Sequence, residues 1–111
     1  MQCAVVEYAR HIGMADANTT EAKPETAYPV IDIVPEQKDV EEKGAMRLGL
    51  YPCKVAVGSF TEKAYGEALI YERHRNRYEV NNGIREELEK NGLVLAGALP
   101  NGRLVEIVDL P

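Results

Sequence analysis

The spacing of apolar residues along this chain alternates between the period of a helix and that of a strand. In residues 2–12 the apolar side chains recur on one face, which predicts an amphipathic helix ending at Gly13. Residues 30–34 are a short β-branched run, which predicts a strand. Such an alternation favours an α/β or α+β domain over a helical bundle or a β-sandwich. The predicted helix face consists of Val5, Val6, Ala9 and Ile12.

Two polar stretches separate these elements from the middle of the chain. Residues 15–29 predict a loop or lid, and residues 35–44 predict an exposed, charge-rich excursion. Residues 46–57 predict two short strands on either side of Tyr51 and Pro52. The apolar positions expected to alternate along these strands are Leu48, Leu50, Val55 and Val57.

The second half of the chain predicts two helical segments and a hairpin. Thr61 is expected to cap a helical turn, and Asn82 is expected to cap a longer helix that ends at Asn91 before Gly92. Residues 93–98 and 104–110 predict two strands joined by a turn at residues 100–102.

Composition limits the classes of function. A chain of 111 residues predicts one small domain, and a net charge of -5 argues against a nucleic-acid surface. We expect a cytoplasmic protein with no membrane contact, because no apolar run is long enough to cross a bilayer and the N-terminus does not resemble a leader. Cys3 and Cys53 lack neighbours at metal-ligand spacing, so we expect no metal site and two buried thiols.

The clearest motif is the basic run of residues 72–78, which contains Arg73, Arg75 and Arg77. Its chemistry allows either an anion site or an exposed strand whose arginines pair with nearby acids. From the residues alone, the chain is an α/β domain, and its status as an enzyme stays open.

Five segments together resemble the glutamine amidotransferase domain of the CTP synthase family, in the family's order and spacing. They are Gln2 with the apolar helix after it, and residues 17–21, 46–49, 72–81 and 105–111. The run at 72–81 is the most specific of these, since it is similar to CTP synthases rather than to class I amidotransferases in general. The resemblance covers essentially the whole chain.

The resemblance implies an incomplete three-layer α/β/α, flavodoxin-like class I glutamine amidotransferase domain with a C-terminal β-hairpin. Residues 1–111 are expected to be one partial domain that starts after the nucleophile elbow and ends before the catalytic His motif. Family members hydrolyse glutamine with a Cys-His-Glu triad, and we expect no member of that triad in this chain. Cys3 lies past the family's nucleophile position, and His74 is expected to be structural or part of a domain interface.

The resemblance also assigns a glutamine site. It implies that Arg77 pairs with the α-carboxylate of glutamine and that Glu21 accepts from the α-ammonium. Gln2 is expected to contribute an amide contact, and Tyr78 a backbone contact. Without the resemblance, the residues alone favour a solvated loop position for Glu21 and an exposed strand position for Arg77.

The resemblance further implies partners and cofactors for the parent enzyme. These are L-glutamine, a synthetase (amidoligase) domain in the same polypeptide, ATP with Mg²⁺, GTP as an activator, and a homotetrameric assembly. We expect the fragment itself to bind no cofactor. Asn76 departs from the family's usual His, and Lys43-Gly44-Ala45 departs from its usual Gly-Gly-Thr, which puts GTP coupling in question. The alternatives are a stand-alone glutamine-binding module without catalysis and one half of a split amidotransferase.

Overall fold

A computed structural model of the chain describes residues 1–33 and 47–110. The predicted excursion at residues 35–44 and the departure at residues 43–45 lie outside the described part. In chain order the elements are α1 Gln2–His11, β1 Ala17–Thr19, β2 Tyr28–Asp32, β3 Arg47–Val55, α2 Phe60–Tyr65, β4 Leu69–Asn76, β5 Glu79–Val80, a 3-10 turn Asn82–Ile84, α3 Arg85–Lys90, β6 Val94–Ala98 and β7 Val105–Asp109.

The strands of the described residues form two sheets. The first sheet has the order β1-β2-β5, with β1 parallel and β5 antiparallel to β2. The second sheet has the order β4-β3-β6-β7, and all its pairings are antiparallel. Helices and two sheets together confirm the expected mixed α/β class, and the pair β6-β7 confirms the C-terminal hairpin.

Helix α1 has the predicted amphipathic character. Val5, Val6 and Ala9 are buried against the first sheet, and the helix ends before Gly13, whose φ of 113° is one that glycine adopts readily. The expectation that both thiols are buried is wrong for Cys3, which is exposed. Cys3 is not among the residues that form the buried face of α1, which are Val5, Val6 and Ala9.

The main core lies between α1, the first sheet and α3. It contains Val5 and Ala9 from α1, Val30 and Ile31 from β2, and Leu88 from α3, all with 0% exposure. A smaller cluster of Cys53, Val55 and Ile70 lies inside the second sheet. The main cluster also contains the fully buried Val105 of β7, so apolar packing in this cluster joins the first sheet to the second.

Three predicted elements differ in the structure. The loop predicted at residues 15–29 contains β1 and the start of β2. The two strands predicted around Pro52 are one continuous strand, β3. Within the described residues, β6 pairs with β3 only at Lys54 and Val55, so Pro52 lies where β3 pairs with β4 alone. A proline is tolerated at such an edge position because its missing N–H can be on the unpaired side.

The caps of the short helices also differ from prediction. Ser59, not Thr61, caps α2, since the Ser59 hydroxyl accepts a 3.0 Å hydrogen bond from the backbone N–H of Glu62. Asn81, not Asn82, caps the 3-10 turn, because its side-chain oxygen accepts from the backbone N–H of Gly83 at 2.9 Å. Both predictions missed a suitable polar residue slightly earlier in the chain.

No helix in residues 1–33 and 47–110 is long and apolar enough to span a bilayer.

Candidate functional site

Polar side chains from three separate segments line one cavity of about 280 Å³ at the N-terminus of α1. We call it the Arg77 cavity. All four site residues predicted from the sequence line it, although they come from three separate segments of the chain. Its lining residues are Gln2, Glu21, Arg75, Asn76, Arg77 and Tyr78.

Gln2 and Tyr78 are in direct contact. The side-chain amide nitrogen of Gln2 donates a 2.8 Å hydrogen bond to the backbone oxygen of Tyr78. Gln2 is the first residue of α1, and Tyr78 lies in the bend between β4 and β5. The bond therefore fixes the start of the helix against the bend, and it uses one of the two lone pairs of the Tyr78 carbonyl.

Glu21 and Arg77 place opposite charges on the cavity. Both side chains are exposed, and neither forms a salt bridge in the part of the chain that the structure describes. Arg75 lines the same cavity, whereas Arg73 does not. The cavity thus offers an anion and two cations to a small zwitterionic molecule.

A second cavity of about 390 Å³ shares Gln2 and Glu21 with the first. Its lining includes Cys3, Glu7 and Arg10 and contains no histidine. Cys3 lines this second cavity and does not line the Arg77 cavity. The described residues contain no group of three or more His, Cys, Asp or Glu side chains that could hold a metal ion.

A buried ionic cluster that sequence analysis missed connects the two sheets. The Arg47 Nε and Nη2 atoms lie 3.3 and 3.2 Å from the two carboxylate oxygens of Glu79. Arg47 Nη1 donates to Glu106 Oε1 at 2.6 Å, and His74 Nε2 lies 3.1 Å from the same oxygen. The side chains of Arg47, Glu79 and Glu106 are 6%, 0% and 1% exposed.

Burial and the opposing charges set the protonation of this cluster. Desolvation disfavours the charged guanidinium, but its bonds to Glu106 and Glu79 outweigh that cost and raise the pKa of Arg47. Burial, followed by the charge of Arg47, lowers the pKa of His74 below its ordinary value, although Glu106 acts in the opposite direction. His74 is therefore neutral at pH 7, as suits a structural residue.

The strand period contained a signal for this cluster. Alternation along β3 places Arg47, Cys53 and Val55 on one face, and that face is buried. A buried arginine requires acidic partners, so the pattern predicts a paired Arg47 once the inward face is known. The sequence predicted Leu48 and Leu50 on the inward side, but they are 62% and 59% exposed. Of the other two predicted positions, Val55 is buried as expected, and Val57, beyond the end of β3, is 90% exposed.

Sequence comparison with curated proteins identifies relatives along the whole chain. CTP synthase of Moorella thermoacetica is 57% identical over 112 residues, covering 99% of this chain, and that of Staphylococcus epidermidis is 54% identical over 113 residues. The chain is homologous to the glutamine amidotransferase region of CTP synthases. It spans 21% of the length of these relatives. No protein-family model matches the chain.

A solved structure has the same fold. The glutaminase domain of Trypanosoma brucei CTPS with bound acivicin matches 100% of this chain and 44% of its own, with a TM-score of 0.90 and 35% identity. This likeness supports the expected partial class I amidotransferase fold. It also confirms the resemblance to CTP synthases drawn from the sequence motifs.

The two cysteines of this CTP synthase homologue have different surroundings. Cys3 lies within α1 on an exposed surface, beside a cavity that no histidine lines. Cys53 is buried in β3, where desolvation and Glu106 raise the pKa of its thiol to about 12. A thiol with such a pKa is not ionised near neutral pH, so Cys53 is a core residue.

Proposed function

We propose that this chain supplies the glutamine-binding part of a CTP synthase glutaminase domain. The observation that carries the proposal is that Gln2, Glu21, Arg77 and Tyr78 meet at one cavity. The homology to the glutamine amidotransferase region supports glutamine as the ligand.

The charges of the Arg77 cavity suit the two ionic groups of free glutamine. The planar guanidinium of Arg77 matches the two oxygens of an α-carboxylate, and Glu21 accepts hydrogen bonds from the α-ammonium. Gln2 contributes an amide contact while its own nitrogen holds the Tyr78 carbonyl in place. Tyr78 contributes through its backbone.

In the complete protein, hydrolysed glutamine releases ammonia that passes to a separate synthetase domain. That domain aminates ATP-activated UTP to CTP with Mg²⁺, and GTP stimulates the glutaminase step. The complete protein is a cytoplasmic homotetramer. The relatives are CTP synthases, which supports the overall reaction, whereas ATP, Mg²⁺, GTP and the homotetramer are implied by the family resemblance alone. The chain spans 21% of these relatives, so the Arg77 cavity is the part that this chain's own residues support.

The 111-residue chain by itself is proposed to lack glutaminase activity. Acceleration of amide hydrolysis needs an activated nucleophile with a base in reach. Cys3 is exposed beside a cavity without histidine, and Cys53 is a buried thiol with a raised pKa.

A chimeric enzyme tests the proposed function. Residues 1–111 replace the homologous region of the Moorella thermoacetica CTP synthase, which is 57% identical. We expect the chimera to form CTP with either glutamine or ammonia as the nitrogen source. A chimera that uses ammonia but not glutamine would contradict the proposal. For the 111-residue chain alone, ammonia release from glutamine that Cys3→Ser abolishes would contradict its inactivity.

A further inference from the structure

The segment that carries Arg77 and Tyr78 is held at both of its ends by one residue of β3. Arg47 pairs through the strand register with Asn76, which ends β4 immediately before Arg77. The Arg47 side chain reaches Glu79, which begins β5 immediately after Tyr78. The bend that lines the Arg77 cavity is thus enclosed between two attachments to Arg47.

The attachment at Glu79 matters because β5 is short. Within the described residues β5 consists of Glu79 and Val80, and its register partners in β2 are Asp32 and Ile31. Two register pairs constrain the conformation of the adjacent bend only weakly. The two-nitrogen contact with Arg47 adds a directional constraint on the fully buried Glu79.

We propose that Arg47 is a positioning residue for glutamine. Its ionic hydrogen bonds to Glu79 and its strand pairing with Asn76 fix the positions of Arg77 and Tyr78 in the cavity. This inference rests on the proposed function of the Arg77 cavity. Arg47 does not line that cavity, so it acts through the bend and not by touching the ligand.

Lysine cannot reproduce this arrangement. Its single ammonium keeps the charge but lacks the fork that reaches both oxygens of Glu79 and a third oxygen on Glu106. Arg47→Lys therefore retains neutralisation of the buried acids while loosening the hold on Glu79. Glu79→Gln loosens the same contact from the other side and keeps the size of the side chain.

The test measures glutamine-dependent and ammonia-dependent CTP formation in the chimeric enzyme. We expect Arg47→Lys to raise KM for glutamine by about tenfold, since small misplacements of binding groups have effects of this size or larger. Ammonia-dependent turnover is expected to stay within about twofold, because ammonia does not use the cavity. Glu79→Gln should give the same pattern, and the double variant should be no worse than either single variant.

Thr61→Val is the matched structural control. Thr61 Oγ1 donates a 2.6 Å hydrogen bond to Asp109 Oδ1, so the variant removes a buried bond between α2 and β7, away from the Arg77 cavity. We expect it to lower the melting temperature without changing KM for glutamine. The inference is overturned if Arg47→Lys lowers the melting temperature and leaves KM for glutamine unchanged, as the control does, or if Arg47→Lys and Glu79→Gln add.

The two hypotheses fail in different ways. If Arg77→Ala leaves KM for glutamine unchanged, the proposed glutamine site itself is wrong. If Arg77→Ala raises that KM and Arg47→Lys does not, only the positioning role of Arg47 is wrong.

Discussion

The side-chain amide of Gln2 donates a hydrogen bond to the backbone oxygen of Tyr78 at 2.8 Å, across 76 positions of the chain. This contact joins the first turn of α1 to the bend between the two sheets. It also brings the two most widely separated segments of the Arg77 cavity together. A site assembled this way depends on the packing of α1 as much as on its charged residues.

The first prediction concerns Arg77. In the chimeric enzyme, Arg77→Ala removes the proposed carboxylate partner of glutamine, and such charge-assisted pairs are worth ~1.5 to 3 kcal/mol. Glutamine-dependent CTP formation should therefore fall by roughly one to two orders of magnitude. Steady-state rates with glutamine and with ammonia measure the effect, and ammonia-dependent formation should be nearly unchanged.

Two further variants make this result specific. Arg77→Lys should recover only part of the loss, because an ammonium lacks the bidentate fork. Arg103→Ala, in the turn of the C-terminal hairpin and outside the cavity lining, should leave both rates near those of the unsubstituted chimera. Equal damage to both activities by Arg77→Ala would show that Arg77 supports the fold instead of binding substrate.

The second prediction concerns the reactivity of the two cysteines. Cys3 is exposed, and Cys53 is 1% exposed with a thiol pKa raised to about 12. An aromatic disulfide reagent at neutral pH should therefore label one thiol per folded chain and the second only after denaturation. Cys3→Ser should abolish the fast labelling, whereas rapid labelling of the Cys3→Ser chain would show that Cys53 is accessible.

The third prediction is a pH dependence of stability that arises from His74. Burial and Arg47 lower its pKa in the folded chain below the ordinary value of 6.5, so the unfolded chain binds this proton at higher pH than the folded chain does. The free energy of unfolding should thus decrease as pH falls below about 6.5 and stay insensitive to this group above it.

Urea titrations between about pH 7.5 and about pH 5.5 measure this dependence. The charged groups that act on His74 are Arg47, Glu106 and Glu72. His74→Gln removes the titrating ring and should reduce the loss of stability on acidification. An equal loss in both chains would mean that His74 does not contribute to it.

The fourth prediction concerns close packing at Gly97 in β6. A Cβ atom at this position would lie 2.6 Å from Cys53 Sγ and 3.0 Å from Ile107 Cγ1. Gly97→Ala should therefore lower the free energy of unfolding by about 1 to 3 kcal/mol. Urea denaturation at neutral pH measures the change.

A double variant tests whether the Cys53 sulfur causes the steric clash at position 97. Adding Cys53→Ala to Gly97→Ala should cost less than the sum of the two single changes, because the closest atom is then absent. Gly83→Ala, whose Cβ would meet a flexible side-chain oxygen of Asn81 at 3.3 Å, should have a smaller effect. Strict additivity at Gly97 and Cys53 would contradict this account of the packing.

Local patterns in the sequence were sufficient for several parts of the structure. The spacing of Val5, Val6 and Ala9 predicted the buried face of α1, because residues three and four apart share a helix face whatever they pack against. The turn before β7 was predicted from residues 100–102, and Gly102 there has a φ of 78°. Asn101 has no positive φ, so the glycine alone supplies that conformation.

The residues of the candidate site were also found from the sequence, through the motifs that resemble CTP synthases. Their meeting at one cavity required the fold, since Gln2, Glu21 and Arg77 belong to three separate segments. Their assignment to glutamine remains a prediction that the Arg77 variants test.

The inward face of β3 was decided only by the tertiary structure. Strand alternation offered two faces, and the apolar Leu48 and Leu50 favoured the one that proves to be exposed. Arg47 is buried instead because the carboxylates of Glu79 and Glu106 pair with its guanidinium. These partners lie 32 and 59 positions further along the chain. A local sequence pattern does not reveal contacts between residues so far apart in the chain. A buried arginine is stable only when the fold places both carboxylates next to it.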